Sequence, residues 1–193
     1  MTRSAVPFPP RPSGRPEAVP GLRSPAAGFD QPFEMLHACH ERVQRTLGLL
    51  ERLCEHLRTR GCDAMAREAA RDVLRYFDIA APLHHEDEEL HIFPPLLAAG
   101  SAETVALVRA LQADHAAMAA QWAAARPPLA AIAEGAATAL APAQEAALRT
   151  FAHLYAGHLR REEDAAYPAA RALLPPEAQA PMGQEMARRR GGV

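Results

Sequence analysis

Lysine is missing altogether from the 193 residues, and all 21 basic side chains are arginine. Schiff-base chemistry and lysine-dependent phosphate loops are therefore excluded. Cysteine is scarce. Cys39, Cys54 and Cys62 are odd in number and fit neither a disulfide framework nor a C-x-x-C zinc or redox pair, which suits a reducing, cytoplasmic setting. The chain has no run of about 18 apolar residues to cross a membrane, and the opening "MTRSAVPFPPRPSGRPEAVPGLRSP" lacks the apolar core of a signal peptide. Net charge is only -2 and the pI is near 6.5. No clustered basic surface invites nucleic acid or an anionic membrane, and neither is expected as a partner.

The chain is long enough for one domain with a real core. Residues 1–31, rich in Pro, Arg, Gly and Ala, are expected to form a disordered leader. Residues 32–174 form the helical domain, and 175–193 a flexible C-terminal tail in which "GQEMARRR" has the makings of a short helix. In the first helical stretch Leu36, Val43, Leu47, Leu50, Leu53, Cys54 and Leu57 fall on one face at 3.6 residues per turn, up to a stop at Gly61. Asp63 and Ser101 are candidate N-caps for the second and third helices. Pro82 is expected to kink or break the second, and Pro127 and Pro128 to stop the third. The fourth begins around Pro142, after an alanine-rich stretch, "LAAIAEGAATALA", that reads equally as extra helical turns or as a loose connection. Four long helices with short connections predict an all-α, up-down-up-down bundle.

The chemistry lies in "HHEDEELHIFP", residues 84–94, and its echo "HLRREEDAAYP", residues 158–168. Aligned on the closing proline, His84 matches His158, Glu88 matches Glu162, Glu89 matches Glu163, Phe93 matches Tyr167 and Pro94 matches Pro168. A solvated charged face does not require H-x3-E-x4-[FY]-P twice. Residues i and i+4 lie one helical turn apart, so each imidazole and carboxylate can converge on one ion. His40 (with His37 a turn earlier) and His115 stand on the remaining helices, at positions that an antiparallel bundle brings to the same level. Two alternatives stay open: His37 in place of His40, and the offset pair His85 with Glu89 in place of His84 with Glu88. His153 is a further candidate near the second block, and Tyr155, Asp87 and Asp114 are candidates to support the ligand imidazoles.

This pattern resembles the hemerythrin family in its H-H-E cation-binding form, over about 32–174. The resemblance implies a hemerythrin-like four-helix bundle with a non-haem di-iron centre, oxo- or hydroxo-bridged, held by His40, His84, Glu88, His115, His158 and Glu162. The two glutamates would bridge the ions. Manganese or zinc would be the less favoured occupants. Oxygen-carrying members resemble a five-histidine pattern with H-x3-H on the third helix, whereas here Ala119 stands four residues after His115. Four histidines and two glutamates leave open positions for water, O2, NO or peroxide. That looks more like the di-iron proteins of stress response and iron-sulfur cluster repair, although residues 1–31 contain no cysteine to match the N-terminal cysteine segment of the repair proteins. The expected function is binding, sensing or reducing such a small ligand. The alternative is an iron- or oxygen-responsive interaction module without turnover. The residues themselves pick out no general acid and base pair and no protein partner.

Overall fold

The computed structural model describes residues 28–191. Its first helix, α1 (Pro32–Arg60), opens on a proline whose missing N–H costs nothing at a first turn. It buries Leu36, Val43, Leu50, Leu53 and Leu57 on the predicted face and ends at Gly61, where φ is 81°. Asp63 then caps the second helix, α2 (64–99), its Oδ1 accepting from Ala66 N–H at 2.9 Å.

Helix α2 runs without interruption over 64–99, through both Pro82 and Pro94. A proline inside a helix lacks the N–H and crowds the carbonyl four residues back. Here each proline follows a π-helical turn, Tyr76–Ala80 and Glu88–Ile92, that absorbs the defect. Ala81 N–H bonds back to Tyr76 O, and Phe93 N–H to Glu88 O, five residues earlier. The expected break at Pro82 is thus corrected to a local widening. Helix α4, continuous over 142–173, repeats the device: the π turn Glu162–Ala166 bonds Tyr167 N–H to Glu162 O, and Pro168 follows. The repeated aromatic–proline pair therefore marks a π turn whose first residue is the block's glutamate.

Between them, α3 (Ala102–Glu134) starts on Ser101, whose Oγ accepts from Thr104 N–H at 3.2 Å. The expected stop at Pro127 and Pro128 is a second correction. The helix continues to a left-handed Gly135, φ 76°, because Ala125, Leu129, Ile132 and Ala133 on either side of the prolines are buried against the core. Packing of that face outweighs the lost hydrogen bonds.

A third correction concerns the tail. Of 175–193, α5 (Pro176–Arg189) is helical and docked, with Met182, Gly183 and Met186 buried. Gly183 is obligatory there, since a Cβ would meet Phe29 O at 1.6 Å. Arg189 and Arg190 both pair with the buried carboxylate of Asp87. The leader expected over 1–31 lies outside the described residues as far as residue 27, and residues 28–31 form a turn with Gln31 N–H donating to Gly28 O at 3.0 Å.

Each long helix packs on its successor, and α4 returns to α1. Among the described residues there is no strand, and no helix long and apolar enough to cross a membrane. The core is in two parts. One apolar cluster gathers Val43, Leu53, Phe77, Met118, Leu129 and Phe151; the other gathers Phe33, Ile92, Phe93, Leu111, Tyr167 and Met186. Along every long helix, the residues between these clusters form a layer of buried histidines and carboxylates.

Candidate metal centre

The π turns and helix periods bring one histidine from α1, one from α3 and a His–Glu pair from each of α2 and α4 into that layer. His40, His84, Glu88, His158 and Glu162 are at most 1% exposed, and His115 is 7% exposed. Their ligating atoms form two overlapping groups, His40–His84–Glu88–Glu162 and Glu88–His115–His158–Glu162, with all atoms of a group within 4.8 Å of one another. All six residues singled out in the sequence are thus placed together, and the two glutamates belong to both groups.

Glu162 spans the layer, with Oε2 3.2 Å from His40 Nε2 and Oε1 3.0 Å from His158 Nε2. Glu88 does the same, with Oε1 3.5 Å from His84 Nε2 and Oε2 3.4 Å from His115 Nε2. Burial opposes charge on His40 and His115, but the close carboxylates of Glu162 and Glu88 prevail and raise both imidazoles to about 10. Burial likewise opposes charge on the carboxylates, and Glu88 also raises Glu162; the imidazoles nevertheless hold Glu88 well below the usual range and Glu162 at about 2. His84, desolvated and repelled by His40, is lowered.

The outer nitrogens are held by further carboxylates. His40 Nδ1–H donates to Glu163 Oε1 at 2.9 Å, His115 Nδ1–H to Glu89 Oε1 at 3.0 Å, and His158 Nδ1–H to Asp114 Oδ2 at 3.2 Å. Each such bond fixes the ring and leaves Nε2 for an ion. The two blocks serve each other crosswise: Glu89 of α2 holds the histidine of α3, and Glu163 of α4 holds that of α1. Aromatics follow the same rule, Phe93 stacking on His115 and Tyr167 on His40. Tyr167 also reaches inward. Its hydroxyl donates to Glu88 Oε1 at 2.5 Å and lies 2.9 Å from His40 Nε2. Burial and the two glutamates push that hydroxyl well above its ordinary range.

The residues of the two open alternatives are placed differently. His37 is half exposed, 47% against 1% for His40, and lies outside the layer. Glu89 is engaged by His115 and Gln112, the latter at 2.7 Å. His85 lies flat on the His115 ring at a centroid distance of 4.1 Å and comes within ligand range of His115 and His158, with no carboxylate in that group. His153 is exposed and donates to Arg149 O. Of the candidate supports, Asp114 reaches an imidazole of the layer, that of His158, while Asp87 is taken by Arg189 and Arg190. Sequence reasoning missed Glu89, Glu163 and Tyr167 in these positions. The signal for the first two was present: a residue directly after an inward glutamate sits roughly 100° around the helix and so faces the neighbouring one.

The residues fit a metal. Both nitrogens of His84, Glu88 Oε2 and both oxygens of Glu162 are buried without a hydrogen bond, and such groups are costly unless something else satisfies them. His115 Nε2 and His158 Nε2 face each other at 3.1 Å while carboxylates hold both opposite nitrogens, so a cation, proton or metal, belongs between them.

Two His/Glu groups sharing two carboxylates inside a helical bundle define a metal-binding module suited to a pair of ions. The model of the "Hemerythrin HHE cation binding domain" family matches residues 31–170. The chain belongs to that family. An uncharacterized protein of Haemophilus influenzae is 42% identical over 71 residues, which are 37% of this chain and 41% of that protein's length.

Proposed function

We propose that the chain is a non-haem di-iron protein that binds, senses or reduces a small ligand: O2, NO or peroxide. The observation that carries this reading is the pair of ligand groups sharing Glu88 and Glu162, closed between two apolar clusters. In this reading His40 and His84 would hold one ion and His115 and His158 the other, with Glu88 and Glu162 available to both. Imidazole with carboxylate suits iron or manganese, and Cys39, hydrogen-bonded to Met35 Sδ, offers no thiolate that would favour another metal. When bound, a pair of irons would supply two electrons between its ferrous and ferric states. The protein's own part is to orient the six donors through Glu89, Glu163 and Asp114 and to exclude bulk water. Burial of the whole layer restricts the ligand to a few atoms.

Metal analysis of freshly purified protein, with spectra before and after exposure to O2 and NO, tests this. About two irons per chain and a spectral response are expected; zinc alone, after growth with iron available, would sink the assignment. Replacing Glu88 and Glu162 together by Ala is expected to abolish iron loading, and retention of both irons would refute their role.

One observation favours the rival reading of a metal-responsive interaction module. Asp87, the clamp for α5, directly precedes Glu88, so occupancy of the centre can be felt by the terminal helix. Metal-dependent exposure of α5 without consumption of O2, NO or peroxide would select that reading.

A further inference from the structure

We propose that Tyr167 is a seventh donor of the centre, its phenol oxygen binding the ion held by His40 and thereby making the two metal positions chemically unequal. The proposal rests on the di-iron reading above. Two donors bound at right angles to one ion at about 2.1 Å stand about 3 Å apart. Tyr167 Oη meets that condition against His40 Nε2, at 2.9 Å, and comes closer to Glu88 Oε1, at the 2.5 Å of a short hydrogen bond. His40 Nε2 and Glu88 Oε1 are themselves 3.8 Å apart, so the phenol oxygen and these two atoms face one point from three sides.

Without metal, His40 Nε2 and the phenol oxygen are paired at 2.9 Å, and the phenol donates to Glu88 Oε1. An ion that takes the lone pairs of His40 and Glu88 removes the first of these bonds and weakens the second. The hydroxyl cannot turn to water, because Tyr167 is 2% exposed, stacked on His40 and set edge-on against Phe33 and His37. Its backbone is fixed by the π turn before it and Pro168 after it. Binding the ion restores a partner: one metal–oxygen bond forms, the O–H bond breaks, and the proton leaves to solvent with those the metal displaces from the imidazoles. A cation reverses the electrostatics that keep the phenol protonated in its absence. The crosswise counterpart, Phe93 against His115, has no oxygen, so only one ion gains the extra donor.

The test loads wild-type protein and Tyr167→Phe with ferrous iron, admits air, counts iron, and records visible absorption and resonance Raman spectra. The wild type is expected to hold two irons, and Tyr167→Phe, which keeps the six His and Glu donors, to bind iron more weakly. The wild type should show a phenolate-to-iron charge-transfer band with tyrosinate vibrations, and Tyr167→Phe neither. A wild type with two irons and no tyrosinate vibrations overturns the proposal and leaves the di-iron reading intact. Persistence of those vibrations in Tyr167→Phe overturns it too, by assigning them to Tyr76 or Tyr155. A wild type without iron overturns both readings. If the variant fails to fold, the wild-type spectrum alone still decides.

Discussion

The apolar cluster around Phe151 and the polar layer beside it are built by the same four helices and are equally closed to water, yet they reach burial by opposite means. Phe151 meets Phe77, Trp122 and Tyr155 at ring-centroid distances of 4.9, 5.0 and 5.4 Å, and the Trp122 indole N–H donates to Asp78 Oδ1 at 2.9 Å. The polar layer holds two carboxylates and four imidazoles in which several nitrogens and oxygens make no hydrogen bond. One region is complete as translated. The other is completed by cations taken from solution, protons in the metal-free chain or metal ions in the loaded one.

The largest effect should come from the self-sufficient region. Phe151→Ala is expected to cost about 3–5 kcal/mol by chemical denaturation, by nearly the same amount with and without metal, while metal content stays unchanged. Loss of metal from this variant would show that the two regions are not separable. Chelation is the matching perturbation of the polar layer. With free metal at roughly 100 times its dissociation constant, loading stabilises the fold by about 2.7 kcal/mol, and a wild type whose melting is indifferent to chelator would remove the distinction.

The two forms should also answer pH differently. In the metal-free chain His40 and His115 are raised from 6.5 to about 10, so their stabilisation is complete below 6.5 and is lost as pH rises through about 10. Glu88 and Glu162 are lowered from 4.5, so theirs is present above 4.5 and is lost as pH falls, through about 2 for Glu162. His85, pushed down to about 3 by burial and by His115, resists protonation in the fold and withdraws stability as pH drops below 6.5. The metal-free optimum therefore lies near 6.5, with losses on both sides. In the loaded form metal has already displaced the protons from His40 and His115, so the alkaline loss between 6.5 and about 10 should vanish. Denaturation midpoints across pH, with and without metal, check this; an alkaline limb that persists after loading would mean that these imidazoles are not ligands.

The inward residues were legible because their pattern occurs twice and because helix level in an antiparallel bundle is simple arithmetic. Caps were equally plain: Asp63, Ser101 and Gly61 act where short polar side chains and glycine are expected to act. Proline was harder to read. Pro82, Pro94 and Pro168 each follow a π turn that keeps the helix whole, whereas a lone sequence registers only the missing N–H. Pro127 and Pro128 are held by apolar neighbours whose burial belongs to the tertiary fold. The docked tail was least visible, since its attachment depends on two methionines, one glycine and a pair of arginines aimed at Asp87, a residue about a hundred positions away.

The smallest expected effect tests how far the polar layer depends on its own surroundings. Glu89 and Glu163 grip His115 and His40 at nearly equal distances, 3.0 and 2.9 Å, and are similarly exposed, 34% and 36%. Removing a carboxylate behind a ligand imidazole typically costs 10–100-fold in metal affinity. Solvent screening at these half-exposed positions places Glu89→Gln and Glu163→Gln toward the lower end, about tenfold each or roughly 1.4 kcal/mol, because glutamine can still accept the Nδ1–H bond but brings no charge. Metal affinity measured by competition with a chelator should therefore fall modestly and almost equally in the two variants. A loss confined to Glu89→Gln would mean that Glu163, beside which His37 stands at 3.7 Å where Gln112 bonds Glu89 at 2.7 Å, is too loosely held to orient His40. The ring would then be positioned chiefly by its stack on Tyr167.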